Sequence, residues 1–379
     1  MSLMQEKTAY LISCSDHYSH RLNVADDHLR SRGYRVTYVT SDFDHVKKSK
    51  FVCNVPGAVQ IPAKPYKKNL SLERILSHYC FARDVFRYLE ALPQEPDVIV
   101  ALLPPNFLAH FAAKYKKAHP NVKLVFDIFD MWPETFPSGR AKTLLAPVFG
   151  VWGLLRDQNL STADFVITEC GLFRRMLRLP RKRSAAVYLC AQPMGSDMEP
   201  ALSREEISLC YLGSVNNVVD IPKICEFVGQ LGACKPVKLH IIGAGERMQE
   251  MIDGAEAAGA EVIFHGAVYD PARKREIMNS CHFGLNVMKT TTCIGLTMKS
   301  LDYLQMGLPI INTVPADTQM FVQVDKIGLQ LNGGCAEIVG AMTVAEHLQL
   351  RENVKRVFAE RFARNVIDQQ YEEILDMIL

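Results

Sequence analysis

The chain has 379 residues, of which 48% are hydrophobic and 22% charged, with Gly and Pro at ordinary levels. This excludes a disordered or collagen-like chain, and the length is large for one core, so two domains are expected. The formal charge is only +2, yet residues 1–190 carry 27 Lys and Arg against 17 Asp and Glu, and the remainder 16 against 24, which suits either an anionic partner for the first half or a charge balance that only tunes solubility.

Strand and helix signals alternate from end to end, which predicts parallel sheets with crossover helices. Ala9–Ser13 reads as a strand, Leu22–Arg32 as a helix stopped by Gly33, and Val36–Val39 as the next strand. Leu72–Leu89 has helical spacing, Asp97–Leu102 is a buried strand and Phe107–Ala118 a helix, and Lys123–Asp127, Phe165–Thr168 and Ala186–Leu189 complete a first sheet. The aperiodic, breaker-rich run from Gln192 to Pro200 predicts a linker. Alternation restarts with strand Leu209–Leu212, helix Ile221–Leu231, strand Leu239–Ile242, a helix through Met248–Ala258 and strand Glu261–Phe264. A helix beginning near Pro271 and strand Phe283–Val287 follow, and Arg351–Leu379 reads as one terminal helical brace. The expected domains are 1–190, a linker 191–206, 207–350 and the terminal helix 351–379 packing back on the first domain.

Eleven cysteines without a CxxC pair suit buried thiols in a reducing compartment. The polar stretch from Met1 to Lys7 predicts no signal peptide, and the apolar stretch Leu144–Leu155 is too short to span a bilayer.

The most informative segment is Thr297-Met298-Lys299-Ser300-Leu301-Asp302-Tyr303-Leu304 with Gly307-Leu308-Pro309. A hydroxyl residue opens an apolar-periodic helix whose unpaired N–H groups and positive dipole end suit a phosphate. Lys299 adds a charge there, and Asp302 can accept hydrogen bonds from sugar hydroxyls. Gly243-Ala244-Gly245 lies between a strand and a helix and lacks the third glycine of a dinucleotide fingerprint, so a tight turn is favoured over a ligand loop. Gly213-Ser214 reads in the same way. Asp127 to Glu134 places Asp130, Trp132 and Glu134 at a strand's carboxyl end, where unusual loops tend to be functional. Asp42-Phe43-Asp44 has a cation-binding spacing but sits alone among turn residues, which favours a solvated loop. His17, His20 and Arg21 follow the first strand and could meet a donor or an acceptor, although lone histidines are commonly structural. The basic runs at Lys64–Lys68, Lys114–Lys117 and Arg174–Arg183 each read first as a solvated face; mixed with apolar residues, the last suits an anionic membrane surface. No stacking platform or recognition motif points to nucleic acid, and no GxSxG, HExxH or zinc spacing is present.

Asp130-Met131-Trp132-Pro133-Glu134 and Lys299-Ser300-Leu301-Asp302-Tyr303-Leu304 with Gly307-Leu308-Pro309 resemble the D-x-W-P-E loop and the K-x-x-E-Y-L…G-x-P helix of a family 4 glycosyltransferase of the GT-B fold, in its capsular or cell-surface polysaccharide branch. The Gly213 turn, Gly243-Ala244-Gly245 and His265-Gly266 support the resemblance, which covers nearly the whole length. It implies two Rossmann-like doubly wound domains facing a cleft, with the C-terminal helix crossing back to the first. The second domain would bind a nucleotide diphosphate sugar, with UDP the expected nucleotide, and the first a glycan or lipid-linked acceptor. It further implies a retaining hexosyltransferase without cofactor or metal, cytoplasmic and peripheral at the inner face of the membrane. Asp130 and Lys299 would be catalytic. Gly213, Ser214, Gly243, Gly245, His265, Lys289, Thr297, Met298, Asp302 and Tyr303 would bind the donor. His17, His20, Arg21, Trp132 and Glu134 would bind the acceptor. The chain departs from the family at Ile294, where the first acid of a pair is usual, at Asp302, one methylene short of Glu, and after Gly213, where Ser214 and Val215 replace cationic residues. These departures motivate an alternative, a catalytically silent GT-B protein that stabilises a partner transferase. A sugar-nucleotide epimerase is a third reading, for which no acid–base cluster calls.

Overall fold

A computed structural model describes residues 6–15, 19–69, 71–136, 146–192 and 205–379. The chain divides into two compact units, Met1–Leu189 with Ile367–Leu379, and Cys190–Val366. The predicted linker largely lies outside the described residues.

In the first unit the strands are β1 (Thr8–Ser13), β2 (Arg35–Ser41), β5 (Val59–Ile61), β6 (Val98–Leu103), β7 (Lys123–Ile128), β8 (Phe165–Thr168) and β9 (Ser184–Ala186), with a small hairpin of β3 (Phe43–Asp44) and β4 (Ser49–Lys50). The main sheet runs β5-β2-β1-β6-β7-β8-β9 and every pairing is parallel. In β1 and β6 every residue is buried, as continuous apolar sequence in a parallel sheet requires. Helix Leu72–Glu90 starts where the Ser71 hydroxyl accepts the Arg74 amide at 3.2 Å, and it buries Phe81, Val85 and Phe86 in the same core as Ile12, Ile99 and Phe126.

The second unit repeats the plan with β10 (Ile207–Leu212), β11 (Val237–Ile242), β12 (Glu261–Gly266), β13 (Phe283–Asn286), β14 (Ile310–Asn312) and β15 (Gly328–Gln330). Its order is β12-β11-β10-β13-β14-β15, again all parallel. Strand order reverses between β1 and β6 in one sheet and between β10 and β13 in the other. In open parallel sheets ligands bind beyond the carboxyl ends of the strands at such switch points.

Three differences from the sequence reading have physical causes. Short elements such as β5, β15 and helices Asp317–Gln323 and Cys335–Ala341 span too few residues for a clear period. Strand β9 sits earlier than Ala186–Leu189 because its partner β8 offers only Val166–Thr168 for pairing. The terminal brace is two helices, Val344–Arg361 and Arg364–Ile378. They part at Phe362, whose carbonyl accepts the Ala191 amide at 3.1 Å. The first of them stays with the second unit, and only Ile367 onward belongs to the first. Among the described residues no helix is long and apolar enough to cross a membrane. All eleven cysteines are free thiols.

Candidate functional site

In the second unit, β10 runs into Gly213-Ser214 and β11 into Gly243-Ala244-Gly245. The two turns lie backbone against backbone: Gly213 donates to Ile242 O at 2.8 Å and Val215 to Ala244 O at 2.9 Å. A Cβ on Gly243 would sit 2.0 Å from the Gly213 carbonyl oxygen, and one on Gly245 2.3 Å from that of Val215. Both have positive φ, so these glycines are required by packing and shape the wall of the site. The tight-turn reading describes them.

Lys299, in the first turn of helix Met298–Gln305, lies beside this wall. Its Nζ donates to Tyr211 Oη at 3.0 Å and stands 4.1 Å above that ring, and Tyr211 Oη donates to the carbonyl of exposed Ser214 at 3.0 Å. Burial lowers the Lys299 pKa to about 7. The helix start is fixed from below. Thr297 Oγ1 accepts the Ser300 amide at 3.1 Å and donates to Asn286 Oδ1 at 2.9 Å. Asn286 donates in turn to Asn312 Oδ1 at 2.8 Å, and Asn312 to the Val314 carbonyl at 2.8 Å. Thr297 therefore acts as cap and anchor, its hydroxyl satisfying the Ser300 amide, which leaves the Met298 and Lys299 amides of the first turn for a ligand. The Met298 side chain is about half exposed and offers no polar group.

Asp302 faces Lys274 of helix Pro271–Asn279 at 3.4 Å; burial raises its pKa and Lys274 opposes the rise. Tyr303 is misplaced among donor-binding residues. It is fully buried, its hydroxyl accepts the Leu212 amide at 2.9 Å and donates to Cys210 O at 3.1 Å, and its ring covers Gly284 where a Cβ would meet it at 2.7 Å. It braces β10 against β13 instead. His265 stacks on His240 with 3.1 Å between ring nitrogens; burial lowers both pKa values, that of His240 to about 4. The Lys289 amide joins the loop after β13 to Val218 O at 2.9 Å. Ile294 packs on the apolar core.

The first unit has a pocket at the carboxyl ends of β1 and β6, lined by Cys14, Ser15, Arg74, His78, Asp130 and Trp132 among others. Asp130 accepts from Trp132 Nε1 and Thr135 Oγ1, both at 2.6 Å; burial raises its pKa and these bonds oppose the rise. The Trp132 ring has the Arg74 guanidinium 4.1 Å above it and the His78 ring stacked at 5.8 Å.

Other acceptor candidates are placed differently. Arg21 is buried, donating to Asp127 at 2.9 Å and to Val187 O at 3.0 Å, so it is a core ion pair and cannot meet an acceptor. Glu134 pairs with fully buried Arg156 at 2.9 Å, which fixes the loop on helix Ala146–Asp157. His17 lies outside the described residues, as does the side chain of His20. Asp42 pairs with Lys50, and Asp44 accepts the Val46 and Lys47 amides at 2.8 and 2.9 Å, so this Asp-x-Asp belongs to a turn. Among the described residues no group of three His, Cys, Asp or Glu could hold a metal ion.

Sequence reasoning missed Tyr211, Lys274, Arg74, His78 and the Asn286–Asn312 pair. The amides carried a signal: a polar side chain inside an apolar strand must find a partner. The others come from elements distant in sequence.

The crystal structure of Alr3699/HepE from Anabaena in complex with UDP and glucose matches with a TM-score of 0.65 and 15% identity, over 98% of this chain and 100% of that one. The apo lipopolysaccharide outer core galactosyltransferase WaaB matches with a TM-score of 0.65 and 14% identity, over 98% and 100%. WaaG, a glycosyltransferase involved in lipopolysaccharide biosynthesis, matches with a TM-score of 0.64 and 12% identity, over 97% and 99%. With two parallel Rossmann-like sheets, the chain has the GT-B fold. Residues 206–342, which carry the Lys299 site, match the family described as Glycosyl transferases group 1. The search of curated proteins found no match.

Proposed function

We propose that the chain is a retaining glycosyltransferase, working without metal or cofactor, that moves a sugar from a nucleotide diphosphate sugar to a surface-glycan acceptor carried on a lipid. The observation that carries this reading is Lys299 beside the Gly213 turn at the start of a capped helix, within the stretch that matches group 1 glycosyltransferases. Amides of a helix start and one cation are the groups that stabilise a departing diphosphate. UDP is the nucleotide we expect, given the UDP-bound relative. Asp302 with Lys274 would face the nucleoside, and Asp130 in the first unit would face the acceptor.

Calorimetry with UDP, GDP, ADP and CDP tests the reading. At least one should bind, and Lys299→Ala should weaken binding by about tenfold or more, the value of a charge-assisted hydrogen bond. If none binds the wild type, the reading fails. Donor turnover by the purified chain, lost in Lys299→Ala, separates an active transferase from the silent alternative.

Membrane attachment is part of the proposal. Helix Ala146–Asp157 exposes Val148, Val151 and Leu154 on one face, and Asp157 at its end shares a groove with Met176, Arg178 and Arg183. Apolar side chains beside a basic run suit an anionic bilayer surface. Sedimentation with liposomes should rise with anionic lipid and fall with salt; indifference to both rules out this part.

A further inference from the structure

We propose that the pocket at the carboxyl ends of β1 and β6 binds an anionic group, phosphate or carboxylate, borne by the acceptor saccharide. That the anion belongs to an acceptor rests on the transferase reading; that the pocket takes an anion does not.

The pocket is built around a fixed cation. Arg74 is almost fully buried, its Nη1 donates to Asn69 O at 2.9 Å, and its guanidinium lies against the rings of Trp132 and Tyr66 at 4.1 and 5.6 Å. A guanidinium oriented in this way loses little further freedom when it meets a phosphate or carboxylate. One helical turn on, His78 lines the same pocket at 4% exposure, and its Nδ1 has no partner among the described residues. A buried ring nitrogen without a partner points to a group that arrives from outside.

The electrostatics favour an anion. Burial, followed by the charge of Arg74, His45 and Lys48, pushes the His78 pKa well down. Among the described residues Asp130 is the one carboxylate in the lining; it lies within the field of Arg74, and both its oxygens already accept hydrogen bonds. Burial pushes the Cys14 thiol up to about 12, so it adds no negative charge. The space, about 50 Å³ and partly open, has room for a few water-sized groups. That fits a phosphate or a carboxylate, with the sugar ring left outside.

The chain's two tryptophans give the readout, since Trp132 lines the pocket and Trp152 lies 6.2 Å from it between ring centres. Titrating the full chain with glucuronate, glucose 6-phosphate and glucose should give a saturable change in tryptophan emission for the two anions and none for glucose. The stronger of the two names carboxylate or phosphate. Arg74→Gln should weaken the response about tenfold or more while leaving UDP affinity unchanged. Lys299→Ala should weaken UDP and leave the anion response intact. Arg74→Lys, checked for an unchanged melting temperature, keeps the charge and should retain part of the response. The proposal is overturned if glucose acts like the anions, if no probe acts, or if the response survives in Arg74→Gln. Failure of UDP binding with an intact anion response would instead overturn the transferase reading alone.

Discussion

Lys299 shows how one side chain links burial to pH. Its pKa near 7 lies below that of a free lysine, so the unfolded chain holds an extra proton between about pH 7 and the ordinary lysine value. This group therefore makes stability rise with pH across that window, and Lys299→Met should remove the rise. Denaturant midpoints of the two proteins from pH 6 to 10 check it, with the variant's advantage largest at the acid end. A bound diphosphate would restore the charge. Nucleotide binding at pH 8 should thus take up a proton, seen as a calorimetric heat that varies with buffer ionisation enthalpy. Tyr303→Phe tests the opposite kind of residue. It leaves the buried Leu212 amide without its acceptor and should cost about 1–3 kcal/mol of stability in denaturant titration. Sequence showed Lys299 and Tyr303 as neighbours on one helix. It could not show that one would end at the surface of the site and the other inside the sheet, because Gly284 opposite Tyr303 decides that.

At the scale of elements, long periodic segments were legible: helix Leu72–Glu90 and strands β6, β10 and β11 lie within two residues of their expected bounds. Their hydrophobic period and caps are local properties. The site was only partly legible, because a strand end acquires its neighbours from elements far along the chain. The Gly213 and Gly243 turns, separate as sequence, form one wall as structure. Gly245→Ala would place a methyl group against the Val215 backbone in a conformation that disfavours it. We expect a lower melting temperature and weaker nucleotide binding together, since in the proposed site the same two turns would carry both. A drop in stability with unchanged nucleotide affinity would show that the wall does not touch the ligand.

For the whole molecule, the first unit is closed by a segment distant in sequence. Arg21 and Asp127 form its buried ion pair, and Tyr371 from helix Arg364–Ile378 donates a hydrogen bond to the same carboxylate at 3.2 Å. The place of Arg21 just after the first strand suggested a residue ready to meet a ligand, and position after a strand cannot tell a cleft-facing arginine from a buried one. Arg21→Ala leaves Asp127 charged and buried without its cation and should cost about 3–5 kcal/mol in denaturant titration. Tyr371→Phe removes only a hydrogen bond and should cost about 1 kcal/mol.

That closing segment also bears on how the chain is made. Residues 367–379 leave the ribosome after every residue of the second unit, so the unit that starts first is completed last. Until then Asp127 lacks the Tyr371 hydroxyl, and the surface that Ile367, Ile374 and Ile378 will cover is bare. Exposed apolar surface of this kind makes nascent intermediates prone to aggregate, so chaperone demand during synthesis should fall on the amino-terminal half.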